Sequence, residues 1–144
     1  MEKALSNITV LDLTRVLAGP YCTMMLADYG ANVIKIEMPG KGDDTRAMGP
    51  KKNDYSMYYA YVNRGKKGIT LNLKSEEGKK LFLEMVKKAD VVVENYRPGV
   101  MDKLGVGYDV LKEAVESIFH GQMLDEHFLM MVATFGAFGV KEYS

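Results

Sequence analysis

Ile8-Thr9-Val10-Leu11-Asp12-Leu13-Thr14, followed by Arg15-Val16-Leu17-Ala18-Gly19-Pro20, is the stretch that decides the fold. The first seven residues form a mostly apolar, β-branched run of strand length, which predicts a buried strand. The next six are mainly small or apolar and end in Gly19 and Pro20. Residues 21–29 then carry a helical pattern. A strand that ends in such a loop and feeds a helix presents backbone N–H groups where an anionic ligand can sit. Gly19 permits close backbone approach, and Pro20 suits the first helical position. An ordinary strand-to-helix turn has the same composition, so both readings stay open at this point.

Working outward, strand and helix signals alternate. Residues 32–37 read as a second strand with polar positions, and residues 39–52, rich in Gly and charge, as a long surface loop. The aromatic run 55–61 reads as a short helix packed under that loop. Residues 68–73 alternate apolar and polar at period two, predicting a third strand with one wetter face. Ser75 then caps the clearest helix: Glu76 and Glu77 sit in its first turn, and Lys87 and Lys88 close it. Leu81, Phe82, Met85 and Val86 give that helix one buried face. Val91-Val92-Val93 is a fourth, fully buried strand. Strands alternating with helices imply crossover connections. The expected fold class is α/β, a Rossmann-like and mainly parallel sheet with flanking helices.

The character changes near Ala114. Residues 115–140 are rich in Met, Phe and His and predict one long helix or two short ones, apolar on more than one face. The expected division is therefore residues 1–113 as the Rossmann-like unit and 114–144 as a helical tail. Such a tail needs cover on several sides, so self-association is expected.

Composition narrows the function classes. With 144 residues the chain suits one domain, and 19 basic against 19 acidic residues leave no charge field for nucleic acid or a membrane surface. The lone Cys22 excludes an intramolecular disulfide and, on its apolar helix segment, reads as a small hydrophobe rather than a nucleophile. The N-terminus lacks a signal-peptide core, and no window approaches the roughly 18 apolar residues of a membrane span. A cytoplasmic location is expected.

Three further motifs carry chemistry or its absence. Asn95-Tyr96-Arg97-Pro98-Gly99 follows the fourth strand, with an amide and a planar cation suited to phosphate, or with nothing more than a Pro-Gly turn. Asn63-Arg64-Gly65-Lys66-Lys67-Gly68 reads first as a solvated loop, and as a phosphate site only if it faces the other two loops. His120 and His127 lie two helical turns apart, about 10 Å along a helix, so with Asp125 and Glu126 they read as polar surface rather than a metal site. No strand is followed by G-x-G-x-x-G, so a dinucleotide fingerprint is missing.

As an ordered set these stretches resemble the N-terminal part of the class III coenzyme A transferases, the CaiB/BaiF or formyl-CoA:oxalate transferase family. The resemblance rests on residues 10–20, 26–37, 42–46, 63–67, 71–74 and 93–99, and it is collinear over about residues 5–113. It implies transfer of coenzyme A from an acyl-CoA thioester to a carboxylic acid through an aspartyl nucleophile, in an interlocked homodimer. It also implies coenzyme A contacts at Val16, Leu17, Ala18, Leu71, Asn72, Leu73, Lys74, Asn95, Tyr96, Arg97 and Lys103, with no metal. Two departures stand out. Met38 occupies a position where relatives often carry Arg. The region of the family's catalytic aspartate has no counterpart here, so no catalytic residue is assigned and an inactive fragment is expected. Residues 115–121 resemble a helix that lies downstream of the nucleophile in relatives, as an internal deletion or a truncated or partial gene product would give. The rival expectation is a non-catalytic nucleotide-binding or regulatory module that pairs with a full-length relative.

Overall fold

A computed structural model describes residues 3–116, 129–134 and 137–141. Chain order gives β1 (Thr9–Asp12), α1 (Ala18–Asp28), β2 (Asn32–Glu37), β3 (Lys51–Lys52), β4 (Tyr55–Ser56), α2 (Met57–Val62) and β5 (Lys67–Thr70). Then come α3 (Glu76–Val86), β6 (Val91–Glu94), α4 (Val100–Lys103), α5 (Tyr108–Glu116), β7 (Leu129–Thr134) and β8 (Ala137–Lys141). A 3-10 turn, Asp44–Ala47, interrupts the long loop after β2.

The main sheet has the order β5-β2-β1-β6-β7-β8. All pairings are parallel except β7 with β8. The chain runs outward from β1 through β2 to β5, then returns to lay β6 on the other side of β1. That reversal is a topological switch point, where the loops leaving β1 and β6 diverge and open a crevice.

Period-two alternation sorts the two faces. Leu11, Leu13, Ile36 and Val92 join Phe82 and Val86 of α3, Met101 of α4 and Leu111 of α5 in one core. Val10, Val33 and Val93 pack on the opposite face with Ala27 and Ala31. The α1 side is the more polar of the two, because Asp12 and Lys35, in phase with Val10 and Val33, are also fully buried there. Ser75 caps α3 as its sequence predicts, its Oγ accepting the Gly78 N–H at 3.1 Å. Such a cap is worth about 1 kcal/mol.

The fold class is the one expected, with three differences in detail. First, the described part of residues 114–144 is not helical throughout: residues 114–116 end α5, and β7 and β8 follow as a hairpin at the sheet edge. A six-residue apolar run cannot be told from a buried helix by periodicity alone. The open edge of β6 offers it backbone partners, and Gly139 in β8 disfavours helix by about 1 kcal/mol. Second, β5 is shorter than the 68–73 strand and exposed along its length, while Leu73 leaves the strand to enter the α3-side core. Third, Pro20 is the third residue of α1 rather than the first, a place it tolerates because first-turn N–H groups lack intrahelical acceptors. The Met-rich and Phe-rich segment around His120, and the Asp125-Glu126-His127 cluster, lie outside the described residues.

Candidate functional site

At the switch point the loops leaving β1, β2, β5 and β6 enclose a cleft of about 420 Å³. Leu13, Ile36, Leu71, Leu73, Val100 and Leu104 supply its apolar lining. Arg15, Asn72, Lys74, Tyr96 and Arg97 add polar and cationic groups, and Glu37, Met38, Gly42 and Asp43 complete the wall. The volume is within the range of small-molecule sites, which pair an apolar lining with a few placed polar groups.

The walls are fixed by side chains that bond to backbone. Asn95 accepts the Arg15 N–H through Oδ1 at 2.8 Å and donates from Nδ2 to the Arg15 carbonyl at 2.7 Å. Gly19 lets α1 start tight against this junction, since a Cβ there would lie 2.4 Å from Thr14 Cβ and 3.1 Å from Asn95 Cγ. Val16 is held at φ +70, a region that costs a β-branched residue on the order of 1–3 kcal/mol. Its N–H points to Asp43 Oδ1 at 3.4 Å. No side chain caps α1.

Two buried ion pairs brace the α1 side of the sheet. Lys35 Nζ meets Asp43 Oδ2 at 2.9 Å, outside hydrogen-bond angles, and donates to the Thr14 carbonyl at 2.9 Å. Burial pushes the Asp43 carboxyl up, but the Lys35 charge and the Thr45 hydrogen bonds hold it below its ordinary value. Lys66 Nζ donates to Asp12 Oδ2, the Pro20 carbonyl and Asn63 Oδ1, each at 2.9 Å. Burial lowers the Lys66 pKa, and the Asp12 carboxylate opposes that shift. At the far wall Glu37 accepts from Arg46 Nε and Nη2, Tyr59 Oη and the Asp43 N–H, each at 2.7 Å. Burial alone would raise the Glu37 pKa; the Arg46, Tyr59 and Asp43 bonds bring it down to about 2.

The expected site residues divide on this geometry. Leu71, Asn72, Leu73, Lys74, Tyr96 and Arg97 line the cleft. Asn95 braces the wall through the Arg15 backbone instead. Val16, Leu17 and Ala18, where the chain enters α1, and Lys103, exposed at the end of α4, are not among the residues that line the cleft. The Asn63 to Gly68 loop is not simply solvated: Lys66 is buried against Asp12, Arg64 pairs with Asp28, and Lys67 Nζ donates to Asn32 Oδ1 at 2.7 Å. Of its three cations only Lys66 is buried; Arg64 and Lys67 stay exposed, and all three are paired within the chain. Sequence reasoning gave no site role to Glu37 or Asp43, and it named the Arg15 loop and the Met38 position without placing either side chain in the cleft. The rule that found the 15–20 and 95–99 loops, attention to the carboxyl end of a parallel strand, points to Glu37, Met38 and Asp43 too when applied to β2. Cys22 is half-buried, and burial, then the Asp12 charge, pushes its thiol up, as suits a packing residue.

The sequence profile of CoA-transferase family III matches residues 5–123. The chain belongs to that family. This family III chain is 59% identical over 105 residues to the acetyl-CoA:oxalate CoA-transferase of Acetobacter aceti, covering 73% of the chain and 27% of the relative. It is 49% identical over 119 residues to the human succinyl-CoA:glutarate CoA-transferase, covering 82% and 27%. Among solved structures, a CaiB/BaiF family protein from Brucella suis superposes with a TM-score of 0.73 at 41% identity, covering 79% of this chain and 31% of that one. An Asp-to-Ala variant of Rv3272 from Mycobacterium tuberculosis gives 0.74 at 36% identity, covering 92% and 32%. The chain thus spans about a quarter of the length of these two curated relatives. Among the described residues no helix is long and apolar enough to cross a membrane, and no cluster of His, Cys, Asp and Glu could hold a metal.

Proposed function

We propose that residues 1–113 form the coenzyme A-binding unit of a class III transferase and that the switch-point cleft receives the coenzyme A portion of an acyl-CoA. The observation that carries this reading is an apolar cleft edged by three cations, Arg15, Lys74 and Arg97, at the carboxyl ends of parallel strands. The apolar lining suits the pantetheine arm and the adenine face, and the cations suit the phosphates. Acyl-CoA and a carboxylic acid are the substrates of the reaction in which this unit takes part. No metal is needed for it. A lone thiol suits a reducing compartment and favours the cytoplasm.

Acyl transfer through an aspartyl intermediate needs a carboxylate free to attack the thioester carbonyl. The cleft's own carboxylates are not free. Glu37 accepts four hydrogen bonds, and Asp43 faces Lys35, Thr45 and Val16. Asp12, with no exposed surface, accepts from Thr14, Thr23 and Lys66. On this reading the described carboxylates of the cleft bind and orient rather than attack, and no transfer is expected from these 144 residues alone. The same observation suits a binding or regulatory module that pairs with a longer relative. Self-association is favoured by Tyr21 and Met25 of α1 with its capping residues Leu17 and Tyr29, spaced four apart and all exposed. Light scattering should show a dimer or larger species.

Calorimetry with coenzyme A tests the binding: heat should appear and weaken with added salt, because phosphates meet Arg and Lys. A folded sample that gives no heat at millimolar ligand removes the reading. Incubation with acyl-CoA and a panel of carboxylic acids should show no exchange above buffer. Exchange abolished by Glu37→Gln or Asp43→Asn would overturn the assignment of those groups as structural.

A further inference from the structure

We infer that Asp44 is an internal competitor for Arg15, holding the guanidinium that an anionic ligand of the cleft must win, and so setting the affinity of the site. The inference rests on the coenzyme A reading for the ligand's identity, while its physical content applies to any phosphate-bearing ligand. Arg15 lines the cleft, and its Nη2 donates to Asp44 Oδ2 at 2.8 Å, with the two side chains 35% and 38% exposed. Asp44 Oδ1 also takes Lys41 Nζ at 2.9 Å. One carboxylate thus occupies two cations at the edge of the site.

Three features make this an exchangeable contact and not a structural one. The Arg15 peptide is clamped on both sides by Asn95, so the guanidinium can turn while the backbone stays. The loop that carries Asp44 is anchored by its neighbour: Asp43 makes the fully buried pair with Lys35 and caps the 3-10 turn through the Thr45 N–H. The Arg15–Asp44 pair itself is partly solvated, so it is weak enough to surrender. A phosphate offers a guanidinium several oxygens and a higher charge than a single carboxylate contact does.

Asp44→Asn keeps the size of the side chain and removes the charge that holds Arg15. Since the ligand no longer displaces a pair of this strength, affinity should rise about two- to fivefold. The test is calorimetry on the full chain with coenzyme A and, separately, with inorganic pyrophosphate, for the native protein, Asp44→Asn, and the Arg15→Gln/Asp44→Asn double variant. The expected result is tighter binding and a steeper salt dependence in Asp44→Asn, an unchanged melting temperature, and loss of the gain in the double variant. Unchanged or weaker binding in Asp44→Asn overturns the inference. So does a gain that survives in the double variant, because Lys41 or simple removal of a negative charge would then be responsible. If the native chain takes pyrophosphate but not coenzyme A, the coenzyme A reading falls and the competition is judged on pyrophosphate. If neither probe binds any of the three proteins, both fail.

Discussion

Asn95 grips the peptide of Arg15 from both sides, across 80 residues of sequence, with its Oδ1 on the N–H at 2.8 Å and its Nδ2 on the carbonyl at 2.7 Å. One side chain thereby ties the loop leaving β6 to the loop leaving β1 at the point where the sheet changes direction. The cleft owes its shape to that tie more than to any contact Asn95 makes with a ligand.

Asn95→Ala should therefore act on shape as well as stability. It leaves a half-buried N–H and carbonyl without partners, a loss of about 1–3 kcal/mol. Urea unfolding should show that loss, and calorimetry should show weaker coenzyme A binding. A variant with unchanged stability would mean that water replaces both bonds.

The Lys66–Asp12 pair gives a harsher test. Lys66→Met removes the cation from a carboxylate that has no exposed surface, and breaking one side of a buried pair costs about 3–5 kcal/mol. The variant should unfold at markedly lower urea than the native chain. A small effect would show that Thr14 and Thr23 suffice to hold the Asp12 charge.

That pair also shows where sequence reading stopped. The strands, the capped helix α3 and the parallel sheet were legible because each rests on local signals: β-branched runs, Ser75 before Glu76, and Gly or Pro at the breaks. The 71–74 and 95–97 segments were legible because they follow strands. Lys66 read as solvated because nothing local announces that Asp12, 54 residues earlier, lies beneath it. Glu37 and Asp43 escaped for the same reason, as their roles depend on partners brought together by the sheet order. The β7–β8 hairpin escaped because its pairing partner β6 lies far back in the chain.

Acid titration separates Glu37 from Glu94, two buried carboxylates whose pKa values move in opposite directions. Glu37 is held at about 2 in the fold, against an ordinary 4.5. Its contribution is thus complete above about pH 4.5 and lost as the pH falls towards 2. Melting temperatures should fall through that window, and less steeply in Glu37→Gln. Glu94 is raised by burial, with the Tyr96 N–H opposing and the Asp102 charge adding to the shift. Its contribution is present below the ordinary carboxylate pKa and lost as the pH rises through the folded value. Glu94→Gln should melt higher than the native chain at pH 7, with the gain vanishing in acid. Equal melting at both ends would contradict the burial argument.

Arg97 is exposed and lines the cleft. If it forks onto a phosphate, Arg97→Lys should weaken coenzyme A binding by about 1–2 kcal/mol, as a bidentate contact becomes a point contact. Unchanged affinity would return Arg97 to a solvated turn.

The most direct test of the cleft itself is a coenzyme A titration followed by backbone amide NMR on the isotopically labelled chain. The account predicts that shifts concentrate at Arg15, Leu71, Asn72, Leu73, Lys74, Tyr96 and Arg97, the residues that meet in the cleft although the chain separates them. Shifts confined to the groove between α3 and α5, around Lys80 and Lys87, or a spectrum unmoved at saturating ligand, would contradict it.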